Sequence, residues 1–292
     1  MIITAKVVAD SIHYLAGRRN PRRLTSFVLR FPRYALPELG THRFLSKNTA
    51  SSRALPIEKV IQEVTTDPAT FVYWGRNMKG MSAAEELAPD QIDEALSVWL
   101  AARDSAVASA KRLSALGLHK QNVNRLLEPW SWTTVLCTAT DYANFYALRR
   151  HKDAMPEMRG LADAMFSAQQ ASTPVDRTDS KGIDRWHLPL VGEDERQSLM
   201  SAAVKVCVGR CARVSYLTFD GRLDFNADVA LHDRLLTSGH FSPFEHPSLP
   251  FRQPFWKRWT GHSDRSGNLH GWQQYRKSLR FEHPYTPGQV EP

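Results

Sequence analysis

The densest run of polar chemistry in this 292-residue chain is residues 41–53, THRFLSKNTASSR. His42 stands between Thr41 and Arg43, and the run continues through Lys47, Asn48 and Thr49 to Ser51, Ser52 and Arg53. Arginine forks with hydroxyl or backbone N–H donors are the groups that grip a phosphate, and an asparagine can read the edge of a base or flavin. The same composition also suits a solvated helix end with local capping. A second run, residues 238–246 (SGHFSPFEH), carries His240, Ser242, Glu245 and His246 around a Ser-Pro break. Glu245 and His246 have the types of an acid–base pair, but neighbours on an extended chain face opposite ways, and a structural loop is the plainer reading. A third run, residues 144–153 (NFYALRRHKD), sets Asn144 and Arg149 five apart. That is roughly 140° around a helix axis, so the two need not touch one ligand atom. Surface ion pairing by Arg149, Arg150 and Asp153 is the plain alternative.

Cys207, Cys211, His232 and His240 form a superficially zinc-like set. Both cysteines lie in an apolar, helix-like stretch, however, and His232 follows helical spacing, so no metal is expected. A glycine-rich dinucleotide fingerprint after a strand and a Walker loop are both missing, which leaves Rossmann and P-loop sites without support.

The elements that must position these residues follow from periodicity and breakers. Residues 2–12 and 24–31 read as strands joined by a basic turn with Gly17 and Pro21; Phe27, Leu29 and Phe31 alternate with Val28 and Arg30, as on a strand with one better-buried face. Residues 38–46 are expected as a short helix. Pro56 suits the first turn of a helix over IEKVIQEV. Residues 90–116 carry Ile92, Leu96, Trp99, Leu100, Ala106, Val107, Ala110 and Leu113 at helical spacing, with Asp90 as N-cap and Gly117 as stop. Further helices are expected over residues 141–150 and 156–170. Residues 171–192, rich in Ser, Thr, Pro, Asp and Gly, read as a linker loop. A second half follows: a helix over residues 198–210, a strand-like CARVSYLTF, and a helix around ALHDRLLTSG.

Length allows one large domain with a real core, taken here as a single domain with residues 1–170 and 193–292 as its halves. A 42% hydrophobic and 23% charged composition is ordinary for a soluble globular chain. No secretory signal or membrane-length apolar stretch is seen, and three cysteines suit a reducing cytoplasm. The net charge of +8, from 38 basic against 30 acidic residues, favours anionic partners. The basic residues are scattered in short clusters such as Arg18–Arg19, Arg22–Arg23 and Lys257–Arg258, without a basic tail, so nucleic acid is not expected as the main partner.

Four motifs together resemble the flavin-dependent thymidylate synthases. His42-Arg43, seven residues, then Ser51, with Arg53 beyond, resembles that family's Arg-His-Arg, seven residues, Ser signature, and FVLRFPRYALPELG resembles the strand leading into it. NFYALR after VNRLLEP resembles the family's Asn-Phe-x-x-Leu-Arg helix and its preceding Arg-x-x-x-Pro. CARVSY and GHFSPFEH resemble the Ala-Arg-Val-Ser and Gly-His-x-Ser/Thr-Pro-Phe-Glu-His elements. These motifs cover about half the chain, but the last two come after the signature, whereas the family has them before it. The resemblance therefore implies a circularly permuted α+β fold with a mixed or antiparallel sheet and long helices.

It also implies roles. His42, Arg43, Asn144, Ser215, His240 and Ser242 would bind FAD, with His42 and Arg149 catalytic. Ser51, Ser52, Arg53 and Arg125 would hold the nucleotide phosphate, and Arg149 would contact the uracil edge and stabilise the base as N3 loses its proton. Methylenetetrahydrofolate would supply the carbon and NADPH the electrons, in a homotetramer with sites at subunit interfaces. The product would be a uracil nucleotide methylated at carbon 5, from UMP or dUMP. Three positions depart: Thr41 for the signature's first Arg, Thr49 for a Glu, and Thr140 for an Arg before the NFYALR helix. Gln273 and Arg276 match the spacing of the family's Arg-Gln-x-x-Arg lead-in, and Arg276 is expected to supply the charge that Thr41 lacks. Thr41 leaves room for a ribose 2′-OH, which leans the expectation toward UMP. Such enzymes occur in nucleoside-antibiotic biosynthesis. Hydroxymethyl transfer, a cytosine nucleotide, and a non-catalytic nucleotide- or RNA-binding descendant are the alternatives.

Overall fold

A computed structural model describes residues 2–15, 19–216, 224–251, 266–279 and 282. The expected turn at Gly17, the Lys257–Arg258 pair and the end of the strand expected over CARVSYLTF lie outside these residues.

Strands β1 (Thr4–His13) and β2 (Arg22–Pro32) form an antiparallel hairpin, in register from Thr4 opposite Arg30 to His13 opposite Arg22, with a shift between Val7 and Ala9. Helix α1 (Leu36–Gly40) is short; the chain then turns into β3 (Ser46–Thr49). The helix expected over residues 38–46 is thus a helix end, a turn and a strand. Lys47 makes this exit: its Nζ donates to the carbonyls of His42 at 2.6 Å and Leu39 at 3.2 Å, satisfying acceptors a helix C-terminus leaves open. Helices α2 (Ile57–Thr66), α3 (Pro89–Ala115) and α4 (Lys120–Val123) follow. Ala88, not Asp90, is the N-cap of α3, because Pro89 suits the first helical position; the Gln91 side chain accepts from the Ala88 N–H. Strand β4 (Trp132–Ala139) pairs antiparallel with both β2 and β3, and helices α5 (Ala143–Arg149) and α6 (Pro156–Ala171) come next.

Residues 171–192 are largely irregular backbone, with one short strand paired to the sheet. Within them β5 (Val175–Asp176) pairs parallel with β1, so that among the described residues one mixed sheet runs β3-β4-β2-β1-β5. Arg177 is only 2% exposed and is held by Glu193 and the Asp184 carbonyl. The small polar composition of this stretch specifies irregular backbone, and buried polar anchors fix it. Beyond it lie α7 (Glu193–Leu199), α8 (Ala203–Tyr216), α9 (Phe225–Thr237) and the antiparallel pair β6 (Ser248–Pro250) and β7 (Trp272–Gln274).

The sheet separates two cores. Phe27, Leu29 and Phe31 of β2 face Met158, Leu161, Ala162 and Met165 of α6 and Phe145 of α5. Val28 and Leu136 face the other way, toward Val204, Cys207, Cys211 and Val214 of α8. CARVSY, strand-like in sequence because Arg213 and Ser215 alternate with Val214, stands as the end of α8, where Val214 packs toward the sheet and Arg213 turns to Asp228. α9 crosses α8 so closely that a Cβ on Gly209 would fall on the Asp228 carbonyl oxygen. The face of α3 carrying Trp99, Ala106, Val107, Ala110 and Leu113 joins a third cluster with α2 and residues 124–130, and only Ala110 among them is fully buried. Among the described residues no helix is long and apolar enough to cross a membrane.

Candidate functional site

The turn after α1 and the first turns of α5 meet over a cleft of about 350 Å³. One wall is the backbone and side chains of Thr41, His42, Arg43, Phe44 and Leu45; the other is Asp141, Asn144 and Phe145. Four residues put forward from sequence, Thr41, His42, Arg43 and Asn144, therefore line one space although about a hundred positions separate the two runs. Asp141 fixes the start of α5 by accepting the Ala143 N–H at 2.8 Å. Arg43 and Arg53 are exposed, and among the described residues neither guanidinium has a hydrogen-bond or ion-pair partner.

A third wall comes from residues that the sequence reading passed over. His270 lines the cleft, packs edge-on against Phe44 at 5.1 Å, and donates its backbone N–H to the Thr140 hydroxyl at 3.1 Å. Asn268 ties the same segment down by donating to the Phe44 carbonyl at 2.6 Å and accepting from the Ser46 hydroxyl at 3.1 Å. No local pattern marks His270; only the three-dimensional docking of residues 266–279 on β3 and Thr140 brings it in.

Arg149 stands behind His42. Its Nε donates to His42 Nε2 at 2.8 Å, its Nη2 to the Thr41 hydroxyl at 3.1 Å, and its Nη1 lies 2.6 Å from a Glu38 carboxylate oxygen. Thr41 also donates to the Glu38 carbonyl at 2.7 Å, so its hydroxyl proton is already committed. The His42 ring is half-buried and edge-on to Phe145 at 4.9 Å. Burial, then the charges of Arg149 and Lys47, hold His42 below the ordinary histidine range against a smaller opposing pull from Glu38. Glu38, one helical turn before His42, was legible only as part of a short helix.

The residues expected at a phosphate form a second group. The Ser51 backbone N–H donates to the Ser215 carbonyl at 2.8 Å, joining the 41–53 run to α8. Ser52 Oγ, Arg125 Nη1 and Arg33 Nε all converge on one Glu128 oxygen, at 2.7, 3.0 and 3.1 Å. Within the chain, then, a carboxylate occupies these donors. Thr49 lies in β3 opposite Val135.

The remaining expected residues lie elsewhere. His240 and Ser242 are exposed in the turn after α9, with His240 Nδ1 2.9 Å from Ser238 Oγ. Gln273 pairs with Leu249 between β7 and β6. Arg276 lies 2.6 Å from Glu245 and 3.0 Å from Glu282; among the described residues the guanidinium beside Thr41 is that of Arg149. His246 faces the interior, where its Nδ1 meets Thr138 Oγ1 at 2.8 Å and burial pushes it down to about 3, while Glu245 turns outward to Arg276. His232 bonds Asp233, and Cys207 donates to the Pro189 carbonyl at 3.1 Å with its sulfur 3.9 Å from that of Cys211.

Fold and cleft together define an α+β protein whose sheet edge, turn and tail build one small, aromatic-walled, cation-bearing pocket. No family model matches the chain, and no curated protein matches its sequence. Among solved structures the chain is similar to a UMP/dUMP methylase PolB from Streptomyces cacaoi bound with 5-Br UMP, at 18% identity over 57% of this chain and 88% of that one, with a TM-score of 0.45. The same protein bound with 5-Br dUMP gives 18% identity, 57% and 90% coverage, and a TM-score of 0.44.

Proposed function

We propose that the chain methylates carbon 5 of the uracil in a uridine nucleotide, UMP or dUMP, with FAD as cofactor, methylenetetrahydrofolate as carbon donor and NADPH as reductant. The observation that carries this reading is the convergence of Thr41, His42, Arg43 and Asn144, from two separate motifs, on one cleft, with Arg149 bonded to His42. The cleft's chemistry fits a flat anionic ligand: Phe44, Phe145 and His270 offer ring faces and edges, Asn144 offers an amide, and Arg43 a cation that has no partner among the described residues.

His42, Arg43 and Asn144 would hold the flavin here, with Ser215, His240 and Ser242 contributed by the second half of the chain, in this protomer or a neighbouring one of a homotetramer. A bound flavin supplies hydride chemistry. The chain's own part is to bind, orient and polarise. His42, kept neutral, donates or accepts a hydrogen bond without adding charge; Arg149 holds it in place. Ser51, Arg53 and Arg125 would receive the phosphate. A thiolate route to carbon 6 has no support, since Cys137, Cys207 and Cys211 are all buried and burial pushes the Cys137 thiol up to about 12.

The test is mass analysis of products from FAD-loaded protein incubated with methylenetetrahydrofolate, NADPH and either UMP or dUMP. The expected result is a nucleotide heavier by one methylene unit. Gain on UMP at least equal to that on dUMP fits the space left by Thr41; gain on dUMP alone makes the chain a thymidylate synthase. A flavin-loaded protein that changes neither substrate overturns the proposal.

A further inference from the structure

We propose that Glu38 and Arg149 are a positioning pair that locks the His42 imidazole in its Nδ1–H tautomer, so that His42 offers the cleft a fixed hydrogen-bond donor for an acceptor atom of a planar ring. The identity of that ring as flavin rests on the reading above; the tautomer does not.

The argument is one of donors and acceptors. A guanidinium has only N–H donors and is always charged. Arg149 Nε lies 2.8 Å from His42 Nε2, so Nε2 must present its lone pair. A neutral imidazole then carries its proton on Nδ1. A doubly protonated ring would set N–H against N–H across this contact. Among the described residues Nδ1 has no protein partner, and the ring lines the cleft. The donor is therefore free for a ligand.

Arg149 could not hold this pose by one bond alone, because a long side chain has many rotamers to lose. Three anchors fix its plane: His42 at Nε, Thr41 at Nη2, and the Glu38 carboxylate 2.6 Å from Nη1. Thr41 in turn is pinned to the Glu38 carbonyl, so Glu38 holds the array at two points. The charges around the ring agree with a neutral state: Arg149 and Lys47 oppose protonation, and only Glu38 favours it. An Arg at position 41 would put a second cation beside Arg149; a threonine hydroxyl accepts from it instead.

Two readouts test this. The first is the nitrogen spectrum of ring-¹⁵N-histidine protein near neutral pH, with the His42 signals assigned by their loss in His42→Asn. Wild type is expected to show protonated Nδ1 and bare Nε2. Arg149→Ala is expected to move the proton to Nε2, and Glu38→Gln, which keeps size and removes charge, to shift the population the same way even if Arg149→Ala fails to fold. A wild-type His42 that carries its proton on Nε2, or on both nitrogens, overturns the proposal.

The second readout is FAD binding, followed by flavin fluorescence. An asparagine amide nitrogen falls where histidine has Nδ1, and a glutamine amide where it has Nε2. Both variants are expected to bind FAD less tightly than wild type, His42→Gln by about tenfold or more beyond His42→Asn, the range for one hydrogen bond left unmade. Equal binding by the two variants overturns the donor role. A wild-type protein that takes up no FAD overturns the flavin reading and the donor role toward it, while the tautomer is still decided by the spectrum.

Discussion

Thr41 shows what a single side chain settles in this site. Its hydroxyl donates to the Glu38 carbonyl and accepts from Arg149, leaving one lone pair and no proton for a ligand. A ribose hydroxyl approaching Thr41 would have to be the donor. Because Thr41 is exposed, losing its two bonds in Thr41→Val should cost stability no more than about 1 kcal/mol, read as a small shift in urea midpoint. Glu128 is a different case. Three donors from Arg33, Ser52 and Arg125 meet on one of its oxygens in a partly buried setting. Glu128→Ala strips all three at once and should cost about 2–3 kcal/mol in the same urea titration, with Arg125 contributing least because it is the most exposed. A loss no larger than that of Thr41→Val would mean solvent already shares those donors. Glu128 was invisible as a site residue in the sequence: it sits inside a helix-like NRLLEPW, and nothing local says that Arg33, about a hundred residues earlier, will arrive beside it.

At the scale of elements, β2 and the long helices α3 and α6 are legible because one face of each is better buried than the other, whereas β3 reads as part of a helix and β4, buried on both faces, carries no alternation to read. Phe27, Leu29 and Phe31 alternate with Val28, which faces α8, and Arg30, which turns to Asp67, and α3 shows its stripe even though only Ala110 is fully buried. Two other elements show why. α8 is legible as a helix only as far as Arg210; its last turns run Arg213, Val214, Ser215, Tyr216, a polar–apolar alternation that suits a strand equally well. β5 is two residues long and is created by its partner β1, not by its own propensity. The α8–α9 crossing gives a sharp prediction. Gly209→Ala drives a methyl into the Asp228 backbone, and helices packed this closely cannot part without disturbing Arg210 and Arg213, which share the Asp228 carboxylate. We expect a loss of about 1–3 kcal/mol at unchanged denaturant slope. Gly40→Ala is the control: a Cβ there meets nothing within 4 Å, so the change should be neutral or mildly stabilising, by up to about 1 kcal/mol.

For the whole molecule, one buried polar chain ties the two halves of the sequence through the sheet. His187 Nδ1 meets Ser11 of β1 at 3.0 Å and its Nε2 meets Ser26 of β2 at 2.8 Å; Ser26 meets Thr138 of β4 at 2.6 Å, and Thr138 meets His246 at 2.8 Å. Both imidazoles are fully buried, and burial holds His187 well below the usual range and His246 near 3. His246 Nε2 has no partner among the described residues, which suits a bare lone pair and would leave an N–H stranded. The consequence for folding has a definite sign. Below about 6.5 an unfolded histidine takes up a proton that these two refuse when folded, so the unfolded state binds more protons and stability falls as pH drops. Each such group contributes a slope that rises to about 1.4 kcal/mol per pH unit once the unfolded histidine is protonated and dies away near its folded value. His13, His42 and His232 are lowered too and add in the same direction, so the total slope is not diagnostic. The difference between wild type and His246→Gln is. Measured by urea unfolding between pH 6.5 and 5, above the usual carboxylate range, the variant should be less stable at pH 6.5 and should lose stability more slowly on acidification, by about the slope of one histidine. Parallel lines for the two proteins would mean that His246 takes up its proton inside the folded chain, and that the link from β1 to the second half does not depend on its neutrality.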